Sequence, residues 1–222
     1  MNYPTPSPGE PTRERPLLRI GTPLPGTAEP TERADAARNR RLLLDAAQDL
    51  VRDHGVDGLT MDELAKRAGV GKGTVFRRFG SRSGLMRALL DHSEQKYQAA
   101  FMFGPPPLGP GAPPVDRLVA FGRARISDIE VEGELHRAAE ISEAGDRYTG
   151  APYNLLKTHV SMLLRQADAA GELPLLADSL LATLDAPLLM YQFKVLGYSA
   201  RQVGDNWEAF VRRVVSASPP VE

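Results

Sequence analysis

The sequence predicts an all-α protein: an N-terminal three-helix unit with a helix-turn-helix, followed by a C-terminal helical bundle. Three observations carry this. Apolar residues recur at three- and four-residue spacing, as in Leu43, Ala46, Ala47, Leu50 and Val51. Prolines stand at the starts of such stretches (Pro114, Pro152, Pro174) and glycines at their ends (Gly145, Gly171). No segment alternates with period two over a useful length, so strands are not expected.

Residues 1–32 read as a disordered tail. Eight of the 19 prolines fall before residue 31, which forbids a helix, and little apolar surface is present to offset the entropy of ordering. The first helix is expected from Arg33 or Asp35 to His54, with Gly55 ending it. Thr60 then reads as an N-cap. Glu63, three residues on, completes a capping box, so a second helix begins at Met61. Leu64, Ala65 and Ala68 give it an apolar face, and Gly69 supplies the backbone freedom that its end requires. A third helix follows from Lys72 to Phe79. Val75 and Phe79 lie on one side of it, leaving Lys72, Thr74, Arg77 and Arg78 to point elsewhere. Two short helices joined by a tight turn, the second presenting basic and polar side chains, form the arrangement that enters a DNA major groove.

Charge agrees with that reading. Between Leu64 and Leu90 stand seven basic residues (Lys66, Arg67, Lys72, Arg77, Arg78, Arg82, Arg87) and no acidic one, as phosphate neutralisation requires. The chain's net charge of −1 conceals a split: 13 basic and 10 acidic residues from 31 to 96, against 11 basic and 15 acidic from 97 onward. A mildly basic head on an acidic body confines DNA contacts to one end. Thr60 is placed for a phosphate, because a helix N-terminus already favours an anion.

The stretch LTMDELAKRAGVGKGTVFRRFGSRSGLM resembles the DNA-binding region of the TetR family of bacterial transcriptional regulators, and the preceding LLLDAAQDLVRDHGVDG resembles that family's first helix. The resemblance covers about a fifth of the chain at this specificity; the remainder is similar only in helical character and length. It implies base contacts from Lys72, Thr74 and Arg77, with Gly73 allowing close backbone approach, and a phosphate contact from Arg82. Arg78 meets phosphate or a base edge. Three positions depart from the family pattern. Gly71 replaces a hydroxyl residue. Phe76 replaces a tyrosine, keeping a ring to pack on the DNA backbone without its hydrogen bond. Gly84 replaces the acidic residue after Ser81, which removes a second capping box.

A fourth helix is expected from Ser81 to Phe101, which the resemblance casts as the link between reading head and regulatory body. GPPPLGPGAPP, residues 104–114, must be a loop. Beyond it, helices are expected over Val115–Val131, Gly133–Gly145, Pro152–Gly171, Pro174–Leu196 and Ser199–Ser216. The resulting division is a tail over 1–32, a helix-turn-helix domain over 33–80 and a helical effector-binding and dimerisation domain over 81–218.

By position, the last two helical stretches match the family's dimer helices. The apolar run through Leu176, Leu180, Leu181, Leu184, Leu188 and Leu189 is broad for a solitary surface helix. Candidates for lining an apolar effector pocket are Phe121, Ile126, Leu135, Tyr153, His159, Met162, Leu163, Tyr191 and Phe193. His136 and Glu140 sit one helical turn apart; two ligands make a weak metal site, and a surface ion pair is the expectation.

With no cysteine, disulfides and thiolate metal sites are excluded. No run approaches the roughly 18–20 apolar residues that span a bilayer, so a cytoplasmic protein without membrane contact is expected. No clustered carboxylates, Ser/His/Asp set or Gly-rich phosphate loop points to catalysis, so no enzyme, cofactor or metal is expected. The expected function is a homodimeric repressor released from a palindromic operator by a small molecule. An activator without a ligand, or a carrier or enzyme on the same fold, shares these features.

Overall fold

The computed structural model describes residues 30–140, 148 and 150–216. Of the tail expected over 1–32, residues 30–32 are instead helical and residues 1–29 lie outside the described residues, as do the helix stop expected at Gly145 and the Glu140 side chain. The chain divides into two units, Met1–Ala37, of which residues 30–37 are described and helical, and Arg38–Glu222, which holds every contact described below.

The described residues form nine α-helices and no strand. Helix α1 spans Pro30–His54, beginning three residues before Arg33 because proline is tolerated in a first turn, where its missing N–H has no partner to lose. A 3-10 turn, Val56–Gly58, leads to α2 (Met61–Ala68) and α3 (Lys72–Phe79). Helix α4 runs Arg82–Phe103, two residues past the expected end. Leu43, Leu44, Ala47, Leu50 and Val51 of α1 meet Leu64, Val75, Phe79, Leu85 and Leu89 in one buried cluster.

The body is built around α5 (Pro114–Glu140), which packs on α4, α6 (Ala151–Gln166), α8 (Ala186–Lys194) and α9 (Ala200–Ser216), while α7 (Leu173–Ala182) packs on α6. Two expected helices, Val115–Val131 and Gly133–Gly145, are thus one through residue 140. Gly133 does not interrupt it: a Cβ there would lie 2.1 Å from the Met190 sulfur, so this glycine serves the α5–α8 contact. Gly122 does the same for α9, where a Cβ would meet the Trp207 indole at 2.0 Å. The Trp207 Nε1–H is shared between the carbonyls of Leu118 and Val119, at 3.2 Å each.

Conversely, the single helix expected over Pro174–Leu196 is two. Within one continuous helix Pro187 would leave the carbonyl four residues back unpaired and clash with it, so α7 stops at Ala182 and Pro187 sits instead in the first turn of α8, which starts at Ala186. Within Leu173–Lys194, an 18-residue window reaches a mean hydropathy of 1.4, enough by length and composition for a membrane-crossing helix, although Asp178 and Asp185 interrupt the apolar run. Here it folds as two helices, with Leu180, Leu181, Leu184 and Leu189 in the body's core.

Candidate nucleic-acid interface

The turn between α2 and α3 is fixed by local chemistry. Thr60 Oγ1 accepts a hydrogen bond from the Glu63 amide at 3.1 Å, capping α2. Glu63 makes no return bond to Thr60 among the described residues, so the capping box is half formed. Gly69 ends α2 in the left-handed region (φ 66°, ψ 29°), and Val70 N donates back to Ala65 O at 3.0 Å. Extended backbone at Gly71 then starts α3, with no side-chain cap.

Helix α3 buries Val75 and Phe79 and turns the rest outward. Lys72, Gly73, Phe76, Arg77 and Arg78 are exposed, and Thr74 is half-buried between them. Thr74, Arg77 and Arg78 line a concavity of ≈ 330 Å³.

The seven basic residues of this region divide by what already holds them. Lys72 Nζ lies 2.7 Å from Asp62 Oδ1 and 5.8 Å above the Phe76 ring. Arg67 pairs with Asp53. Arg82 donates Nε–H to Leu59 O at 2.9 Å and an Nη2–H to Val56 O at 2.7 Å, fastening the start of α4 to the segment before α2. Lys66, Arg77, Arg78 and Arg87 have no partner among the described residues. Arg77 and Arg78 therefore stand on the exposed face of the second helix with every N–H available to an acceptor.

The start of α4 shows why the departure at residue 84 is structural. Ser81 Oγ accepts from Gly84 N at 3.1 Å, so the cap survives without an acidic partner. A Cβ on residue 84 would lie 2.2 Å from the Phe79 carbonyl oxygen. Glycine lets the end of α3 sit directly on the first turn of α4.

Sequence reading missed the buried polar junction between α1, α4 and α5. Gln48 Nε2 donates to Ser93 Oγ at 2.9 Å and to Glu132 Oε1 at 2.7 Å, and Lys96 Nζ donates to Gln48 Oε1 at 2.8 Å. Arg125 Nη1 donates to Glu94 Oε1 at 2.5 Å. Burial, reinforced by Glu132, pushes the Asp128 carboxyl up to about 6. His136, expected at the surface, is buried with Nδ1 4.0 Å from Glu94. The one signal was the helical spacing of the charged residues Arg125, Asp128 and Glu132.

The expected pocket residues do not gather in one place. Phe121, Ile126 and Leu163 are packed in the body's core, with Tyr153 and Phe193 half-buried against it. Leu135 lies instead in the head's cluster. Met162 and Tyr191 are exposed at 36% and 50%. Tyr153 donates its hydroxyl to Asp178 at 2.7 Å. His159 stacks on Phe101 (ring centroids 4.3 Å apart) and Phe121 (5.5 Å), and burial together with the Arg117 charge holds its pKa down to about 4.

Helices α1 to α4 and the exposed basic face of α3 define a helix-turn-helix domain joined to an all-helical body. Residues 43–89 match the family model for bacterial regulatory proteins of the tetR family, so this region is a tetR-family helix-turn-helix domain. Among curated proteins, the chain is 36% identical over 93 residues to the HTH-type transcriptional repressor LfrR of Mycolicibacterium smegmatis, covering 42% of this chain and 48% of that one. It is 38% identical over 53 residues to an HTH-type transcriptional regulator of Staphylococcus aureus strain USA300, covering 24% and 29%. The chain thus spans half or less of the curated relatives it matches. Among solved structures, it superposes on Escherichia coli NemR in its reduced form (TM-score 0.55, 22% identity, 83% of this chain and 100% of that one). It also superposes on a transcriptional regulator from Rhodococcus sp. Rha1 (TM-score 0.58, 22% identity, 79% and 95%). At such identities the likeness is one of fold.

Proposed function

We propose that the chain is a DNA-binding transcriptional regulator, a homodimeric repressor that a small molecule releases from a palindromic operator, and that it acts in the cytoplasm without catalysing a reaction. The observation that carries this reading is the outward face of α3, where Arg77 and Arg78 stand exposed and without partners beside Thr74. Thr74, Arg77 and Gly73 approach base edges. Lys72 joins them at the bases, Arg78 meets phosphate or a base edge, the capped Thr60 end of α2 meets a phosphate, and Arg82 reaches a phosphate with the donors that its two carbonyl partners leave over. The reading head is residues 33–80 and the body 81–218.

Dimerisation through the last two helices is supported by a stripe on α8 and the turn after it. Leu188, Tyr191, Val195, Leu196 and Tyr198 are between 39% and 68% exposed, a concentration of apolar surface that a monomer does not ordinarily leave in water. Two heads on one symmetric body read half-sites about 34–36 Å apart or a multiple of that. An apolar effector in the body favours dimers whose heads no longer match the spacing.

The test is a mobility shift of the chain on its own upstream DNA over a salt series. The reading requires sequence-selective binding that weakens steeply with salt. Absence of binding to any duplex at low salt would remove it.

A further inference from the structure

The body holds a cation that no described residue neutralises. Arg117 is 8% exposed, in the first turn of α5, and no carboxylate among the described residues pairs with it. One Nη2–H reaches Phe101 O at 3.2 Å, and Nε is enclosed with no acceptor. The neighbouring carboxylate in sequence, Asp116, faces Arg212 instead, at 3.8 Å. Position sharpens the problem, because the first turn of a helix is its positive end and disfavours a cation. A buried charge of this kind is strongly destabilising unless something compensates it.

Beside it stands a second orphan. His159, from α6, is 7% exposed, and its Nε2 also lacks a partner. Its ring lies on Phe101, the residue whose carbonyl Arg117 holds, and the two side chains interact electrostatically. With its proton on Nε2, His159 is, like Arg117, a buried donor without an acceptor. Two unpartnered donors, both more than nine-tenths buried and both against Phe101, are complementary to one planar anion with an apolar remainder.

We propose that Arg117 and His159 form the polar end of a ligand site in the body that takes an organic carboxylate. The carboxylate accepts from Arg117 Nε–H and His159 Nε2–H, and its hydrocarbon part lies against the Phe101 and Phe121 rings. That this ligand is the effector rests on the regulator reading; its binding does not, so failure to bind DNA and failure to bind the anion are separate results.

The experiment is a thermal melt of the full chain with sodium benzoate, against benzyl alcohol as the uncharged counterpart and sodium chloride at matched ionic strength. Benzoate raises Tm saturably while the controls do not. Arg117→Met weakens benzoate binding about 10- to 100-fold, as expected for loss of a hydrogen bond to a charged group. Without benzoate that variant melts no lower than the wild type, since the uncompensated charge is gone, whereas an arginine retained for structure alone would lower it. Should the variant not fold, the His159 ring in the wild type gives the answer by nuclear magnetic resonance: bound benzoate raises its titration midpoint above about 4. No saturable benzoate shift, equal binding to Arg117→Met, or a His159 midpoint unmoved by benzoate overturns the proposal.

Discussion

The buried His159 and the half-buried Asp128 pull stability in opposite directions with pH. His159 has its pKa held down to about 4 from 6.5, so the unfolded chain takes up this proton first and His159's contribution is lost as pH falls from 6.5 to 4. Asp128 is pushed up from 3.8 to about 6 by burial, with Glu132 and Glu94 raising it and Arg125 and Lys96 opposing, so its contribution is lost as pH rises from 3.8 to 6. At a factor of 1.36 kcal/mol per pKa unit, each amounts to about 3 kcal/mol, and in the wild type they largely cancel. Asp128→Asn removes one side of that balance, so the variant loses more stability between pH 6.5 and 4 than the wild type, while His159→Phe loses less. Urea unfolding at a series of pH values checks both; parallel profiles for all three proteins would contradict the assignment.

At the scale of the element, a substitution that sequence pattern recommends is one that the structure forbids. Capping statistics favour an acidic residue three positions after Ser81, yet residue 84 is glycine with its Cα facing the Phe79 carbonyl. Gly84→Ala and Gly84→Glu are predicted to destabilise the head by on the order of 1–3 kcal/mol, with Tm falling in a thermal melt. A stabilised Gly84→Glu variant would show that the α3–α4 turn can open freely. The head was otherwise legible because its determinants are local: Thr60 caps α2, Gly69 takes the left-handed conformation, and Val75 and Phe79 face inward, all within a few residues of what they control. The body was not, because its decisive contacts are remote. Whether Gly133 stops a helix or admits a neighbour depends on Met190, and Leu135 joins the head only because α5 crosses it. The break before Pro187 was visible in the sequence, but the apolar run around it outweighed it there. Gln48, Glu94 and Glu132 gain their meaning only when three helices meet.

For the whole molecule, one surface is apolar and another basic. Leu188 and Tyr191 on α8, with Val195 just past it, form an exposed apolar stripe that the proposed dimer would cover, while Trp207 turns α9 toward α5. Tyr191→Glu is predicted to convert a dimer to monomers in light scattering coupled to size exclusion, without lowering helix content, because Tyr191 is half exposed already and contributes little to the chain's own core. A dimer unchanged by that charge would place the interface elsewhere. The basic face of α3 lies at the other functional end, with Arg67, Lys72 and Arg82 tied to this chain and Arg77 and Arg78 free for another molecule.

That Arg77 reads base edges is tested by selection from random duplexes, followed by titration of the wild type and Arg77→Ala on the selected sequence. A palindromic sequence and a steep salt dependence are expected, with the variant's affinity for that sequence falling about 10- to 100-fold and its affinity for unrelated DNA falling much less. Equal affinity of the two proteins for the selected sequence would contradict that role.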